Sequence, residues 1–209
     1  MLVGYEGMRT ARRMALLAFA VLFLATAGAA ATGDFAAGMR AHLEKKYGES
    51  RQVFHPLADA GDARAQFMMG TIYEQGLGVP KDLPTAAAWY RRAADGGNAS
   101  AQYNLGVFYQ FGKGVTKDSA EAARLLQMAA EQGHGRAQNN LSTFYFTGVG
   151  VARDVVEAWK WLTLSAQDLK GAGREIALSN RAVIEREMTA DQIEAARRRV
   201  AEWHKRHGK

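Results

Sequence analysis

The sequence contains no cysteine and only 3 prolines among 209 residues. The lack of cysteine excludes disulfide scaffolds, thiol catalysis, thiolate metal sites and lipoprotein anchors, although it leaves the cellular compartment open. The 22 glycines favour helices that end at glycine caps, provided that the glycines recur at regular spacing. Hydrophobic residues make up 48% and charged residues 23% of the chain. These proportions are those of an ordinary globular protein and argue against wholesale disorder.

The first 31 residues have the composition and order of a secretory signal peptide. Three arginines precede an apolar run over residues 14–24, and small residues follow up to residue 31. We predict cleavage near Ala29–Ala31 and a periplasmic or secreted mature protein. The alternative is a retained membrane anchor, although the apolar run is short for a span of roughly 20 residues.

The positive charge of the chain is concentrated at its two ends. The formal net charge is +6, and residues 197–209 contain six basic residues against one glutamate. The part between the signal segment and residue 197 is nearly neutral, which argues against nucleic-acid binding. A basic terminal helix could contact an anionic surface, or it could be a solvated helix end whose cations the helix dipole favours.

A sequence motif occurs three times at a spacing of 36 residues. The dipeptide Ala-Gln begins at Ala65, Ala101 and Ala137. The other aligned positions are Tyr73, Tyr109 and Tyr145; Gly76, Gly112 and Gly148; Gly78, Gly114 and Gly150; and Asp82, Asp118 and Asp154. A fixed period of this length is typical of a stacked array of small structural units.

Each copy of the motif predicts two helices. In the first copy, apolar residues at helical spacing predict a first helix over residues 65–75 that ends at Gly76. Asp82 precedes the second helix, where an aspartate is a preferred N-cap, so we interpret the recurring aspartates as caps and not as catalytic carboxylates. A glutamate three residues after Asp118 and Asp154 predicts a capping box in the later copies.

Glycines inside the first helices predict close helix crossings. Gly70 and Gly106 occupy the same position in the first two copies, although glycine costs a helix about 1 kcal/mol relative to alanine. Ser142 takes this position in the third copy, which predicts a slightly wider crossing there.

These patterns predict an all-α protein, a right-handed superhelix of stacked helical hairpins. The predicted segments are a signal peptide over 1–31, an imperfect unit over 32–64, repeats over 65–100, 101–136 and 137–173, and a C-terminal pair of capping helices with the basic tail over 174–209. Thr189 and Gln192 predict a capping box at the start of the last helix.

The motif A-Q-x-x-L-G-x-x-Y-x-x-G-x-G-V-x-x-D resembles the Sel1-like repeat, a relative of the tetratricopeptide repeat. The second copy matches this pattern from Ala101 to Gly133, and the resemblance extends over about residues 34–205. It implies a helical solenoid and, in function, the scaffolding or regulation of other proteins in the cell envelope.

The surface formed by the first helices is the predicted binding site for a protein or peptide partner. Successive first helices of such arrays line a concave side, which can receive an extended or helical segment. The candidate partner-binding residues are those that differ between copies, namely Met68, Asn104 and Asn140; Thr71, Val107 and Thr143; and Gln75, Phe111 and Thr147. Asn104 and Asn140 could bond to a ligand main chain or could simply be exposed polar positions.

The sequence contains no recognisable catalytic, phosphate-binding or metal-binding motif. We therefore predict a protein that is not an enzyme and that uses no cofactor or metal and no nucleic-acid partner. Two alternatives stay open. One is an envelope hydrolase of β-lactamase type, as has been suggested for cysteine-rich relatives of the repeat family. The other is a cell-wall or membrane-surface accessory, with membrane contact only through the basic tail or a retained signal segment.

Overall fold

The computed structural model describes residues 35–208, so the predicted signal peptide lies outside the described residues. Within this range the chain forms ten helices and no strand. The first helix, α1, covers residues 35–43, and the others are α2 Tyr47–Asp59, α3 Ala63–Gln75, α4 Leu83–Asp95, α5 Ala99–Phe111, α6 Ser119–Glu131, α7 Gly135–Thr147, α8 Val155–Asp168, α9 Ala172–Glu185 and α10 Ala190–His207. None of these helices is both long and apolar enough to span a membrane.

The helices stack in chain order. From α2 to α9, each helix packs against the next one in the sequence, and the buried residues form three hydrophobic clusters that follow one another along the array. Because every unit buries its apolar side against its neighbours, successive clusters share partly buried residues, namely Phe67, Tyr73 and Tyr109. The structure confirms the predicted all-α solenoid of helical hairpins.

The first helix of each repeat begins two residues before the Ala-Gln dipeptide. The residues at the N-cap are Asp62, Asn98 and His134, three different side chains that each accept a backbone N–H. Asn98 Oδ1, for example, accepts from Ala101 N at 2.9 Å. Because the three N-cap residues differ in type, the repeated motif does not show that each first helix begins before the Ala-Gln dipeptide.

The glutamine of the Ala-Gln dipeptide joins neighbouring helices. Gln102 is 1% exposed, and its Nε2 donates to the carbonyl oxygen of Ala94 at 3.2 Å. Ala94 lies in the last turn of α4, where carbonyls lose their partners within the helix. The same bond joins Gln66 to Ala58 at 2.9 Å and Gln138 to Ala130 at 3.2 Å. The recurring glutamine thus fastens each first helix to the end of the preceding second helix.

The predicted capping boxes at Asp118 and Asp154 are wrong, although both aspartates occupy the N-cap and accept backbone N–H groups. The backbone N–H of Asp118, which a box would pair with Glu121, donates instead to Tyr109 O at 3.0 Å. The side chain of Glu121 therefore turns to Arg91 and Arg124, each at 2.7 Å. The recurring tyrosine contributes a carbonyl that closes the turn, and the reciprocal box forms at Thr189 and Gln192.

The glycines inside the first helices lie at close crossings with the second helices. A β-carbon at Gly70 would lie 2.5 Å from the ring of Tyr90, and one at Gly106 would lie 3.1 Å from Leu126. Ser142, at the same position of the third repeat, is buried and donates its hydroxyl to Asn139 O at 2.6 Å.

The last helix folds back over the array. α9 packs on α8, and α10 also packs on α8. Trp203 of α10 is 1% exposed, and its indole Nε1 donates to Glu131 Oε2 on α6 at 3.0 Å. Arg199 of the same helix lies 2.9 Å from the carboxylates of both Asp154 and Glu157. Part of the basic tail is therefore used to hold α10 in place.

Candidate functional site

Three of the cavities in residues 35–208 lie between successive first helices when α9 is counted as the first helix of a terminal unit. The polar pocket, of ≈ 260 Å³, is lined by Phe67, Thr71, Glu74, Gln75, Tyr90, Ser100, Tyr103, Asn104, His134 and Arg136. The Phe111 pocket, of ≈ 260 Å³, is lined by Gln110, Phe111, Lys117, Ser119, Thr143, Phe144, Thr147 and Val149. The Ser142 pocket, of ≈ 220 Å³, is lined by Ser142, Thr143, Phe146, Leu162, Asn180, Val183 and Ile184. We call the surface that carries all three the first-helix face.

Tyr90 of α4 supplies the central polar group of the polar pocket. Its hydroxyl donates to Glu74 Oε2 at 2.5 Å and lies 3.3 Å from the hydroxyl of Thr71. Burial, and then the bond to Glu74, raise the pKa of the Tyr90 phenol, which therefore stays protonated and keeps donating. This bond fixes the position of the half-buried Glu74 carboxylate, whose second oxygen has no hydrogen-bond partner among residues 35–208 and could accept an N–H of a ligand.

The opposite wall of the polar pocket comes from the start of α7. His134 stacks on Tyr103 at 4.8 Å between ring centroids, and its Nδ1 accepts the backbone N–H of Ala137 at 3.2 Å. Burial lowers the pKa of His134, so the imidazole is neutral and can act as this acceptor. Arg136 is exposed at the rim and has no hydrogen-bond or ion-pair partner among residues 35–208. The polar pocket therefore combines a fixed carboxylate with a free guanidinium.

The Phe111 pocket is apolar with a positive rim. Phe111 is 62% exposed and Val149 is 49% exposed, whereas Phe144 is buried. Lys117 lines the pocket, and the ammonium group of Lys113 lies 5.6 Å from the centroid of the Phe111 ring. No carboxylate lines this cavity.

The Ser142 pocket adjoins the Phe111 pocket across α7. Thr143 lines both cavities. The Ser142 pocket is formed by Phe146, by buried side chains of α8 and α9, and by Val183, which is 49% exposed. The two apolar pockets thus lie on either side of one helix, with the small Thr143 side chain between them.

Most of the predicted partner-binding residues line these cavities. Thr71, Gln75 and Asn104 line the polar pocket, and Phe111, Thr143 and Thr147 line the Phe111 pocket. Val107 and Asn140 are half-buried and line none of the three cavities. Met68 requires a correction, because it is 8% exposed and packs in the core between α2 and α3. An apolar side chain at this helix position turns inward, whereas the asparagines of the later copies do not.

A further set of repeat positions lies on this face and is not among the predicted partner-binding residues. Glu74, Gln110 and Phe146 are spaced by 36 residues, and each lines a different one of the three pockets. The sequence could have indicated these positions, because they differ in charge and polarity between copies. They also lie three residues after the predicted set Thr71, Val107 and Thr143, and therefore on the same side of the helix. The residues of α9 were missed because that helix carries no copy of the motif.

Within residues 35–208, no three side chains of the metal-ligating types His, Cys, Asp and Glu are close enough together to hold a metal ion. The candidate site is therefore described by shape, hydrogen bonding and charge.

The comparisons with known proteins agree with the repeat structure. The family model of the Sel1 repeat matches residues 63–98, 99–134 and 135–168. The crystal structure of a Sel1 repeat protein from Oxalobacter formigenes is 31% identical, with a TM-score of 0.66, and the match covers 71% of this chain and 60% of that one. A protective antigen with an SLR fold from uropathogenic Escherichia coli is 25% identical, with a TM-score of 0.40, over 84% of this chain and 53% of that one. No curated protein matches the sequence.

Proposed function

The chain belongs to the Sel1 repeat family, whose fold generally mediates protein–protein interaction, and on this premise we propose that it holds a segment of a partner protein on the first-helix face. The role is binding and not catalysis. The match covers only 60% of the Oxalobacter protein. The partner and the pathway are therefore proposed for this chain and are not taken over from that protein.

One observation supports the first-helix face most directly. The residues that recur in every copy, such as Gln102 and Gly114, pack the units of the array against one another. Most of the candidate residues that differ between copies line the three pockets, where the position of Glu74 in one copy holds an aromatic side chain, Phe146, in another. A surface that varies in chemistry on a constant framework is what recognition of a particular partner needs.

We also propose that the protein works outside the cytoplasm. The support is the N-terminal order of arginines, apolar run and small residues, which is typical of an exported chain. The partner is then a protein of the cell envelope or of the exterior.

The role of an anionic-surface binder is less well supported. The tail carries fewer free cations than its composition suggests, because Arg199 is bound to α8 and Arg198 lies 2.6 Å from Glu194. No observation on the described residues favours the hydrolase alternative.

A photocrosslinker placed on the first-helix face tests the proposed function. Benzoylphenylalanine at Thr143, which lies between two pockets, is expected to capture a partner protein in cells that produce the chain. The same group at Ala88, an exposed residue of the second helix α4, is the matched control and is expected to give little or no adduct. Equal adduct yields from Thr143 and Ala88 would contradict the proposed function.

A further inference from the structure

The Phe111 pocket and the Ser142 pocket form one continuous apolar surface across α7. Thr143 is the point of contact, and the exposed side chains Phe111, Val149 and Val183 extend the surface on both sides. An α-helix with its side chains is about 10–12 Å across, which sets the approximate separation of the two cavities. A ligand that fills both needs two apolar side chains at about that distance.

An extended segment meets this requirement with a defined spacing. In the polyproline II conformation the chain rises about 3.1 Å per residue with three residues per turn, so side chains i and i+3 point the same way about 9 Å apart. A segment with apolar residues at i and i+3 would place one in each pocket and cross α7 over the small Thr143. Such a segment also loses little conformational freedom on binding, because polyproline II is already populated in unfolded chains.

The unbalanced charge at this surface is positive. Lys113 and Lys117 lie beside the Phe111 pocket, and neither has an ion-pair partner among residues 35–208. The nearest acid in the sequence, Asp118, accepts the backbone N–H groups of Ala120 and Glu121 at 3.0 Å each. At the end of the surface next to the Ser142 pocket, the guanidinium of Arg153 forms an ion pair with Glu187 at 3.0 Å.

Comparison of the repeats shows that the positive rim belongs to this pocket in particular. The position of Lys113 is occupied by Leu77 in the first copy and by Val149 in the third, whereas Lys117 aligns with Lys81 and Arg153. Only the middle copy therefore places two lysines next to an exposed phenylalanine. The N-terminal segment of the chain itself is rich in arginine, and its charge does not complement this rim.

We propose that these two pockets bind one extended, acidic segment of the partner protein, with apolar side chains at positions i and i+3 and carboxylates on the flank that lies next to the Phe111 pocket. This inference rests on the proposed function and specifies the chemistry of the partner. The carboxylates would pair with Lys113 and Lys117, which are exposed at the edge of the Phe111 pocket, so binding should weaken as the salt concentration rises.

Fluorescence anisotropy with the purified full-length chain tests this proposal. The probe is a labelled peptide of sequence Asp-Asp-Leu-Pro-Ser-Leu-Asp-Asp, and we expect it to bind at least tenfold more tightly than the same peptide with lysine in place of aspartate. Replacing both leucines of the probe by serine should weaken binding at least tenfold. The double variant Lys113→Glu/Lys117→Glu should weaken binding of the acidic peptide at least tenfold and favour the basic one.

Lys81→Glu is the matched control, because Lys81 is exposed and occupies the position of Lys117 in the first repeat. It should change the affinity by less than twofold. An equal loss with Lys81→Glu, or equal binding of the acidic and basic peptides, would overturn the proposal. If neither peptide binds while Thr143 still crosslinks a partner, the acidic-segment inference is wrong and the proposed function stands. If Thr143 captures nothing above the Ala88 control, the proposed function is itself wrong.

Discussion

Replacing Gly114 by alanine is expected to lower the free energy of unfolding by about 2–5 kcal/mol, because left-handed strain of about 1–2 kcal/mol adds to overpacking of about 1–3 kcal/mol. Gly114 has φ +67, and a β-carbon there would lie 2.5 Å from the carbonyl oxygen of Leu83. That carbonyl belongs to the first turn of α4 in the preceding unit, where backbone atoms cannot rotate out of the way as a side chain can. The turn after α5 therefore needs glycine at position 114, both for the left-handed backbone conformation and for the close approach to Leu83.

Gly97→Ala separates these two causes. Gly97 has φ +83, but a β-carbon there would have no heavy atom within 4 Å. This variant should lose only the conformational cost of about 1–2 kcal/mol. Urea unfolding followed by circular dichroism measures both variants. Equal losses for Gly114→Ala and Gly97→Ala would show that the turns do not depend on close stacking between units.

The same stacking contact occurs elsewhere in the array. A β-carbon at Gly150, with φ +75, would lie 2.5 Å from the carbonyl carbon of Ser119 at the start of α6. At Gly78 the neighbour is Tyr47 at the start of α2, at 3.1 Å. The second glycine of each Gly-x-Gly turn thus lies against the first turn of the second helix in the unit before it. This contact explains why the position recurs as glycine in every copy.

Replacing Trp203 by alanine is expected to cost about 3–5 kcal/mol, the usual range for removing a buried tryptophan. Trp203 is 1% exposed, its Nε1 donates to Glu131 Oε2 at 3.0 Å, and His207 stacks on it at 4.0 Å between ring centroids. Its loss removes apolar packing and leaves the Glu131 carboxylate without this donor. Because α10 has no hairpin partner on its outer side, it should separate from α8 before the rest of the array unfolds.

Trp89→Ala is the matched control for this prediction. Trp89 is half-buried on α4, where Arg92 lies over its ring at 4.4 Å, so its removal opens no enclosed cavity and should cost less than Trp203→Ala. Hydrogen exchange should show faster exchange in α10 and the adjoining part of α8 for Trp203→Ala, with α2 to α4 unchanged, because units of a solenoid contact only their neighbours. Uniform loss of protection along the chain would contradict this account of α10.

The sequence predicts the fold well because its periodic residues act within one unit or between neighbouring units. Gly76, Gly114 and Asp118 each contact residues of their own or the adjacent unit. The same contacts therefore recur in every unit, and the residues that make them repeat every 36 positions. The predicted capping box at Asp118 does not form because the backbone N–H that it requires donates to Tyr109 O. No pattern in the sequence indicates that Trp203 would bond to Glu131, 72 residues earlier.

The candidate site was predicted only in part. Variation between copies identified Phe111 and Thr143, but it could not distinguish Met68, which turns into the core, from residues that face solvent. Val183 belongs to a helix outside the repeated motif, so comparing copies could not find it. The net charge at the Phe111 pocket also depends on which nearby cations form ion pairs. Pairs between distant residues, such as Arg153 with Glu187, cannot be found by comparing copies.

The most direct test of the central claim is hydrogen exchange of the full-length chain with and without the partner that crosslinks at Thr143. If stacked first helices form the binding surface, added protection should appear in α5, α7 and α9 around Phe111 and Val183 and leave the exposed sides of α4 and α6 unchanged. Protection confined to α4 and α6, or to the basic end of α10, would contradict the claim.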